Sequence, residues 1–298
     1  MCLEFFYLFD TKVKNKTFQP NGSCKNKQDT PVYMPELPEV ETYRRYLEGT
    51  IFHQTITNFE VDDPKKLLLI PLDEFVSGIK NRQVVGSKRV GKNLFLKLDN
   101  GEWLYMHFGM SGDVHYYRDD TDRPKHARIV FYFDSGFKLG FICPRKFERL
   151  SVVHDAEAFL KKKKVNADVM DITFAEFKRQ LNKRKSVIKS VLLDQSVVAG
   201  IGNWIVDEVL FQAKVHPATK SDTLSDARIQ LIFNAMQNVV KLAIEKEANY
   251  VHFPDTYLIH ARGWGKPEYD TNCPSCGKEL KVEKVGGRTT YFCRSCQS

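Results

Sequence analysis

The chain has 298 residues, enough for about two domains, and its 42% hydrophobic content supports packed cores rather than a disordered tail. Lysine and arginine number 45 against 37 aspartates and glutamates, a formal charge of +8 that points to an anionic partner. No stretch approaches the roughly 18 uninterrupted apolar residues of a spanning helix, so the chain does not read as an integral membrane protein.

Residues 1–33 mix Lys12, Lys14, Asn15, Lys16, Asn21, Gly22, Ser23 and Lys25 without a period, the texture of a flexible leader. The apolar run Cys2 to Phe9 is short, carries Glu4 and has no basic residue before it, which is poor signal-peptide chemistry. At Met34 the texture changes. Pro38 suits a first helical turn, Val40, Tyr43 and Leu47 follow at helical spacing, and Gly49 offers a stop.

From Ile51 to about Val153 the signals are those of strands. Leu94 to Leu98 and Trp103 to His107 flank Asp99-Asn100-Gly101, and Ile129 to Phe133 and Phe137 to Ile142 flank Asp134-Ser135-Gly136, both hairpin chemistry. These runs predict a β-sandwich or barrel. A basic connector follows, with ten lysines and arginines against three acids over 161–189. Beyond it Phe174, Phe177 and Leu181 predict one helix, and Ile229, Ile232, Phe233, Met236, Val239 and Val240 another. Between them, Lys185 to Leu193 and Asn203 to Ala213 read as two helices joined by Asp194 to Gly202, where Gly200 and Gly202 permit positive φ. The predicted organisation is a leader at 1–33, an N-terminal domain at 34–155, a helical domain at 156–262 and a cysteine-rich unit at 263–298.

In that last unit Cys273-Pro-Ser-Cys276 and Cys293-Arg-Ser-Cys296 stand sixteen residues apart, the spacing of a four-cysteine zinc site. Each C-x-x-C aims two thiolates at one tetrahedral ion, which supplies folding energy that so small a unit lacks. Lys281 to Lys284 and Arg288 to Phe292 read as strands around Gly286-Gly287, making a zinc β-hairpin. Two disulfides or a redox dithiol are the alternatives, but no βαβ unit lies nearby. Seven cysteines are an odd number, and with four assigned to metal the chain reads as intracellular. One Zn2+ with four protein ligands is structural, so catalysis lies elsewhere.

Met34-Pro-Glu-Leu-Pro-Glu-Val-Glu-Thr42 is on local grounds either a helix lead-in or part of a site. Taken with Lys92 in R-V-G-K-N, H-F-G-M-S-G at 107–112, C-P-R-K-F at 143–147, G-I-G-N at 200–203 and the zinc unit, it makes the chain from Met34 onward resemble the formamidopyrimidine-DNA glycosylase and endonuclease VIII family of DNA repair enzymes, and the first branch more than the second. The resemblance implies an α+β multidomain fold: a β-sandwich with flanking helices, a helix-two-turns-helix domain, a zinc hairpin, and DNA in the cleft between.

Position by position, the resemblance makes Pro35 the nucleophile at C1′ of a damaged nucleotide and Glu36 the general acid/base. Lys92 matches the family's active-site lysine. Met110, Arg145 and Phe147 match the wedge that fills the gap left by a flipped nucleotide, although core packing is the plain reading of Met110 and Phe147. Asn203 and Arg288 would each hold a phosphate, with the glycines before Asn203 freeing helix N-terminal amides. The connector is either a solvated face or added counterion-release affinity. Cys143 and Lys146 stand where members more often carry aspartate and arginine, Trp204-Ile205 replaces a commoner Ile-Tyr, and residues 249–272 admit no contact assignment.

The implied activity is a bifunctional glycosylase acting as a monomer on duplex DNA with oxidised purines, located with the DNA inside the cell. A non-catalytic damage binder, a glycosylase preferring oxidised pyrimidines and a general zinc-ribbon binder are the other readings. A nucleophilic Pro35 needs a free secondary amine, whose pKa near 8 leaves a neutral fraction at pH 7. The expectation is therefore that translation starts at Met34 or that the leader is removed.

Overall fold

The computed structural model describes residues 34–263 and 271–298; the leader at 1–33 lies outside them, as do residues 264–270. Helix α1 (Leu37–Ile51) begins with Pro38 in its first turn and buries Val40, Tyr43, Leu47 and Ile51 along one face. Gly49 does not stop it. The helix runs two residues further, because burial of Ile51 holds the last turn before Phe52 turns extended.

The strands are β1 (Thr55–Val61), then after the short helices α2 (Pro64–Leu67) and α3 (Leu72–Ile79) β2 (Arg82–Val90), β3 (Asn93–Leu98), β4 (Trp103–His107), β5 (Asp113–Tyr117), β6 (Ala127–Phe133), β7 (Lys138–Ile142) and β8 (Arg149–Val153). Their order is β5-β7-β6-β1-β2-β3-β4-β8, with antiparallel pairing throughout. β1 and β2 pair at Thr55↔Gln83 and Ile56↔Arg82, a short seam that lets the sheet fold into two four-stranded layers. Leu94, Leu96, Leu104 and Met106 of one layer share a core with Ile129, Phe131, Leu139 and Phe141 of the other, and α1 joins it. This is the expected sandwich.

Helix α4 (Ala156–Lys162) packs Ala156 and Leu160 on Phe95 and Tyr105 of the sheet, and the helical part comprises α5 (Phe174–Leu181), α6 (Ile188–Leu193), α7 (Asn203–Gln212) and α8 (Asp226–Glu245). Helix α6 is shorter than predicted, because Val187 is extended and bridges to Lys220 before the helix starts. The basic connector is not wholly a solvated face either. Lys189 is fully buried, its Nζ donating to Asp207 Oδ1 at 2.7 Å, Thr290 Oγ1 at 2.7 Å and the Thr289 carbonyl at 3.1 Å. Asp207 accepts through Oδ2 from Arg262 at 2.7 Å and from the Tyr291 N–H at 3.2 Å, so one buried carboxylate ties α6 and α7 to the zinc hairpin. That hairpin is β9 (Lys281–Val285) and β10 (Arg288–Phe292), turning at Gly286-Gly287.

Two contacts lock the sandwich to the helices. Leu37, the first residue of α1, is buried in the helical core rather than the sandwich core, and its burial contributes roughly 1.5–3 kcal/mol. Asp168 accepts from the Gly91 N–H at 2.7 Å and from the Arg89 guanidinium. Gly91 has φ +58, and a β-carbon there would lie 2.8 Å from Ala199 Cβ, so the β2–β3 turn sits flush against the loop before α7.

Candidate functional site

At that junction Pro35, Glu36, Lys92, Asn203 and Arg288 come together, while Met110, Arg145 and Phe147 form one separate group and the four cysteines another. Glu36 precedes α1 in an extended conformation and is 1% exposed. Its carboxylate reaches the N-terminus of α7, where the Trp204 N–H donates to Oε1 at 2.9 Å and the Ile205 N–H to Oε2 at 3.3 Å. Helix amides and the helix dipole favour an anion at this point. Burial wins, however: desolvation pushes the Glu36 carboxyl up to about 7, against the pull of the Lys92 charge and the two amides and with a further push from Glu39.

This corrects one expectation. The α7 N-terminal amides were expected to face phosphate, but those of Trp204 and Ile205 hold Glu36. The glycine reading is corrected as well: Gly200 has φ +113, whereas Gly202 at φ −125 needs no special backbone freedom. Gly202 is required by space, because a β-carbon there would meet the Glu36 carboxyl group.

Lys92 is the second residue of the tight turn between β2 and β3, one position before β3 begins. Burial lowers its pKa, the charges of Glu36 and Glu39 oppose that, and Arg288 lowers it further. Glu36, Glu39, Lys92 and Arg288 therefore share one electrostatic neighbourhood, although Arg288 comes from the zinc hairpin and is exposed. Asn203 stands beside it, its Nδ2 donating to the Thr289 carbonyl at 3.0 Å. Pro35, buried, adjoins Glu36 at the start of α1.

Met110, Arg145 and Phe147 lie on two loops that touch. Gly109 has φ +57, and a β-carbon on it would fall 2.7 Å from the Phe147 carbonyl carbon, so the loops meet backbone to backbone. Core packing does not describe Phe147, which is 52% exposed, and Met110 is half-buried outside the sandwich core. The exposed Arg145 guanidinium lies 5.6 Å from the Phe147 ring centre. The result is an apolar tip with a cation over it, facing solvent. Cys143, by contrast, is fully buried, and desolvation pushes its thiol up.

The four cysteine sulfurs lie within 4.8 Å of one another, with Cys273–Cys296 at 3.8 Å and Cys276–Cys293 at 3.6 Å. A tetrahedral ion with sulfurs about 2.3 Å away requires edges of about 3.8 Å, so the residues fit one zinc ion. Cys273 and Cys293 pack with Leu280, Tyr291 and Phe211, which seats the zinc unit on α7.

Sequence reasoning missed the space left by Gly202, the Asp168 clamp, the Lys189–Asp207–Arg262 cluster, and Tyr250, whose hydroxyl donates to Glu39. One signal was available: Asp207-Glu208 interrupts the apolar run Trp204 to Phe211, and two acids inside a buried helix need buried partners.

Residues 34–150 match the formamidopyrimidine-DNA glycosylase N-terminal domain, 165–255 the formamidopyrimidine-DNA glycosylase H2TH domain, and 273–298 a zinc finger found in FPG and IleRS. The chain is 34% identical over 283 residues to a formamidopyrimidine-DNA glycosylase of Heliobacterium modesticaldum, covering 89% of this chain and 100% of that protein. It is 31% identical over 277 residues to one of Arabidopsis thaliana, covering 87% of this chain and 70% of that protein. Among solved structures it resembles MutM in complex with DNA containing carbocyclic 8-oxo-G, with a TM-score of 0.79, 30% identity and coverage of 89% and 100%. It also resembles the Lactococcus lactis enzyme bound non-covalently to DNA with an abasic site, with a TM-score of 0.77, 30% identity and coverage of 88% and 99%.

Proposed function

The chain belongs to the formamidopyrimidine-DNA glycosylase family, and we propose that it excises oxidised purines from duplex DNA and cuts the abasic strand through a Schiff base on Pro35. It is a DNA-binding glycosylase of base excision repair that carries one structural zinc ion on Cys273, Cys276, Cys293 and Cys296. The observation that carries the catalytic reading is the buried Glu36 carboxyl, held by the Trp204 and Ile205 amides beside Pro35 and sharing the Lys92 field.

In this reading the Pro35 nitrogen attacks C1′, the glycosidic bond breaks, and the base leaves with the bonding electron pair and takes up a proton. Elimination from the iminium then breaks the strand on the 3′ side. Glu36, pushed up to about 7, is present in both protonation states at neutral pH, which suits a group that gives and takes protons in turn. Lys92 supplies a nearby cation. Asn203 and Arg288 hold phosphates by their side chains, since the Trp204 and Ile205 amides are engaged by Glu36. Met110, Phe147 and Arg145 fill the gap and face the orphaned base. The enzyme works as a monomer with the DNA inside the cell.

Pro35 reacts only as a free secondary amine, so the active chain starts there. The test is borohydride trapping on duplex containing 8-oxoguanine, using one chain initiated at Met34 with the methionine removed and one retaining residues before Pro35. The first is expected to give a covalent adduct and the second none. Adduct formation by the second, or none by the first, overturns the proposal; excision of oxidised pyrimidines in place of purines overturns its substrate assignment.

A further inference from the structure

The segment after α8 is the part of the chain whose contacts the sequence left open. Glu247 and Ala248 take positive φ of 52° and 53°, ending the helix, and Tyr250–His252 forms a 3-10 turn capped by the Asn249 side chain on the Val251 N–H at 3.2 Å. This turn delivers Tyr250, 8% exposed, to the far side of Glu36.

Two paths lead from Tyr250 to Glu36. Its hydroxyl donates to Glu39 Oε1, and Glu39 Oε2 accepts the Glu36 main-chain N–H at 2.9 Å. Its ring packs edge-on against the Trp204 indole, centroids 5.6 Å apart at 78°, and the Trp204 main-chain N–H holds Glu36 Oε1. Phe253 closes the group, 5.3 Å from Tyr250 and 5.9 Å from Trp204. Tyr250 thus braces both the backbone and the carboxylate of Glu36, and the braced N–H belongs to the residue that follows Pro35.

We propose that Tyr250 is a positioning residue for Glu36, acting through Glu39 and Trp204. The proposal rests on the role assigned to Glu36 above. A buried carboxylate keeps its charge and orientation only while donors hold it. Burial raises the Glu39 pKa, and the Tyr250 hydroxyl is the leading opposing influence, ahead of backbone amides and Lys92. Without that hydroxyl Glu39 takes up a proton more readily and its grip on the Glu36 N–H loosens.

The test is Tyr250→Phe in a chain starting at Pro35, assayed by single-turnover base excision. The rate constant is expected to fall roughly tenfold, the effect of one charge-assisted hydrogen bond, with affinity for lesion duplex unchanged. The pH profile supplies a readout that a purely structural role would not move. The titratable groups facing Glu39 are Glu36, Tyr43, Tyr250 and Lys92, with Arg288 beyond Lys92, and Lys189 also acts on Glu36. A Glu39 that is neutral more of the time raises the Glu36 pKa less, so the limb near pH 7 is expected to move to lower pH. Glu39→Gln is expected to do the same, and the double variant to be no slower than the slower single one.

Wild-type rate and an unmoved limb in Y250F overturn the proposal, as does full additivity in the double variant. If Y250F does not fold, the same readouts from E39Q decide: wild-type rate with an unmoved limb overturns the proposal. Failure of the unsubstituted chain to excise any lesion would instead overturn the functional reading on which the proposal rests.

Discussion

A β-carbon on Gly202 would lie 2.1 Å from the carboxyl carbon of Glu36, although 165 residues lie between the two in the chain. The backbone of Gly202 is ordinary, so the fit excludes a side chain by volume alone. Gly202→Ala is therefore expected to fold, to melt within a few degrees of the parent, and to drive Glu36 off the Trp204 and Ile205 amides. A displacement of about 1 Å at a reacting group costs roughly 100-fold in rate. Single-turnover excision measures it, and a parental rate in Gly202→Ala would show that Glu36 does not work from that cradle.

The same pair marks what the sequence could and could not reveal. Features set by neighbours in the chain were legible: the period of α8, the Asn100-Gly101 turn, and the two C-x-x-C pairs that fix their own geometry. Features set by the docking of distant segments were not. Lys189 looked like one more lysine in a basic run because its partners lie at Asp207 and at Thr289 and Thr290. Glycines in G-I-G-N suggested backbone freedom, which holds for Gly200, while the reason for Gly202 is the end of a side chain from another domain. Tyr250 carried no local signal, since its meaning depends on Glu39 at the other end of the chain.

His107 ends β4 and accepts the Gly109 N–H on Nδ1 at 3.1 Å. Burial, reinforced by Lys163, Lys92 and Arg149, brings its pKa down to about 4, so the folded protein keeps this imidazole neutral. The unfolded chain protonates it near 6.5. The unfolded state therefore binds the extra proton over this range, and the stability linked to His107 is complete above about 6.5 and is lost as pH falls toward 4. Urea unfolding of the parent and of His107→Gln at pH 7.5 and pH 5 isolates the effect, because other titrations cancel in the difference. The parent is expected to lose about 2 kcal/mol relative to the variant on acidification. An unchanged gap would mean that His107 is protonated in the folded protein.

Phe147 separates a role in DNA from a role in the fold. With 52% of its surface exposed, its truncation removes little buried area, and Phe147→Ala is expected to change stability by no more than about 0.5 kcal/mol. If the ring fills the space a flipped nucleotide vacates, its loss matters where the lesion starts inside a stacked, paired helix. Covering a ring of that size is worth roughly tenfold to a hundredfold in rate. A lesion in a bulge or mismatch has already lost much of its stacking and pairing, which lowers the cost of flipping. Excision by Phe147→Ala should therefore fall by that factor on paired duplex and only a few-fold on a bulged substrate. Equal loss on both substrates would remove Phe147 from the gap and leave Met110, on the loop against it, as the apolar side chain placed to fill it.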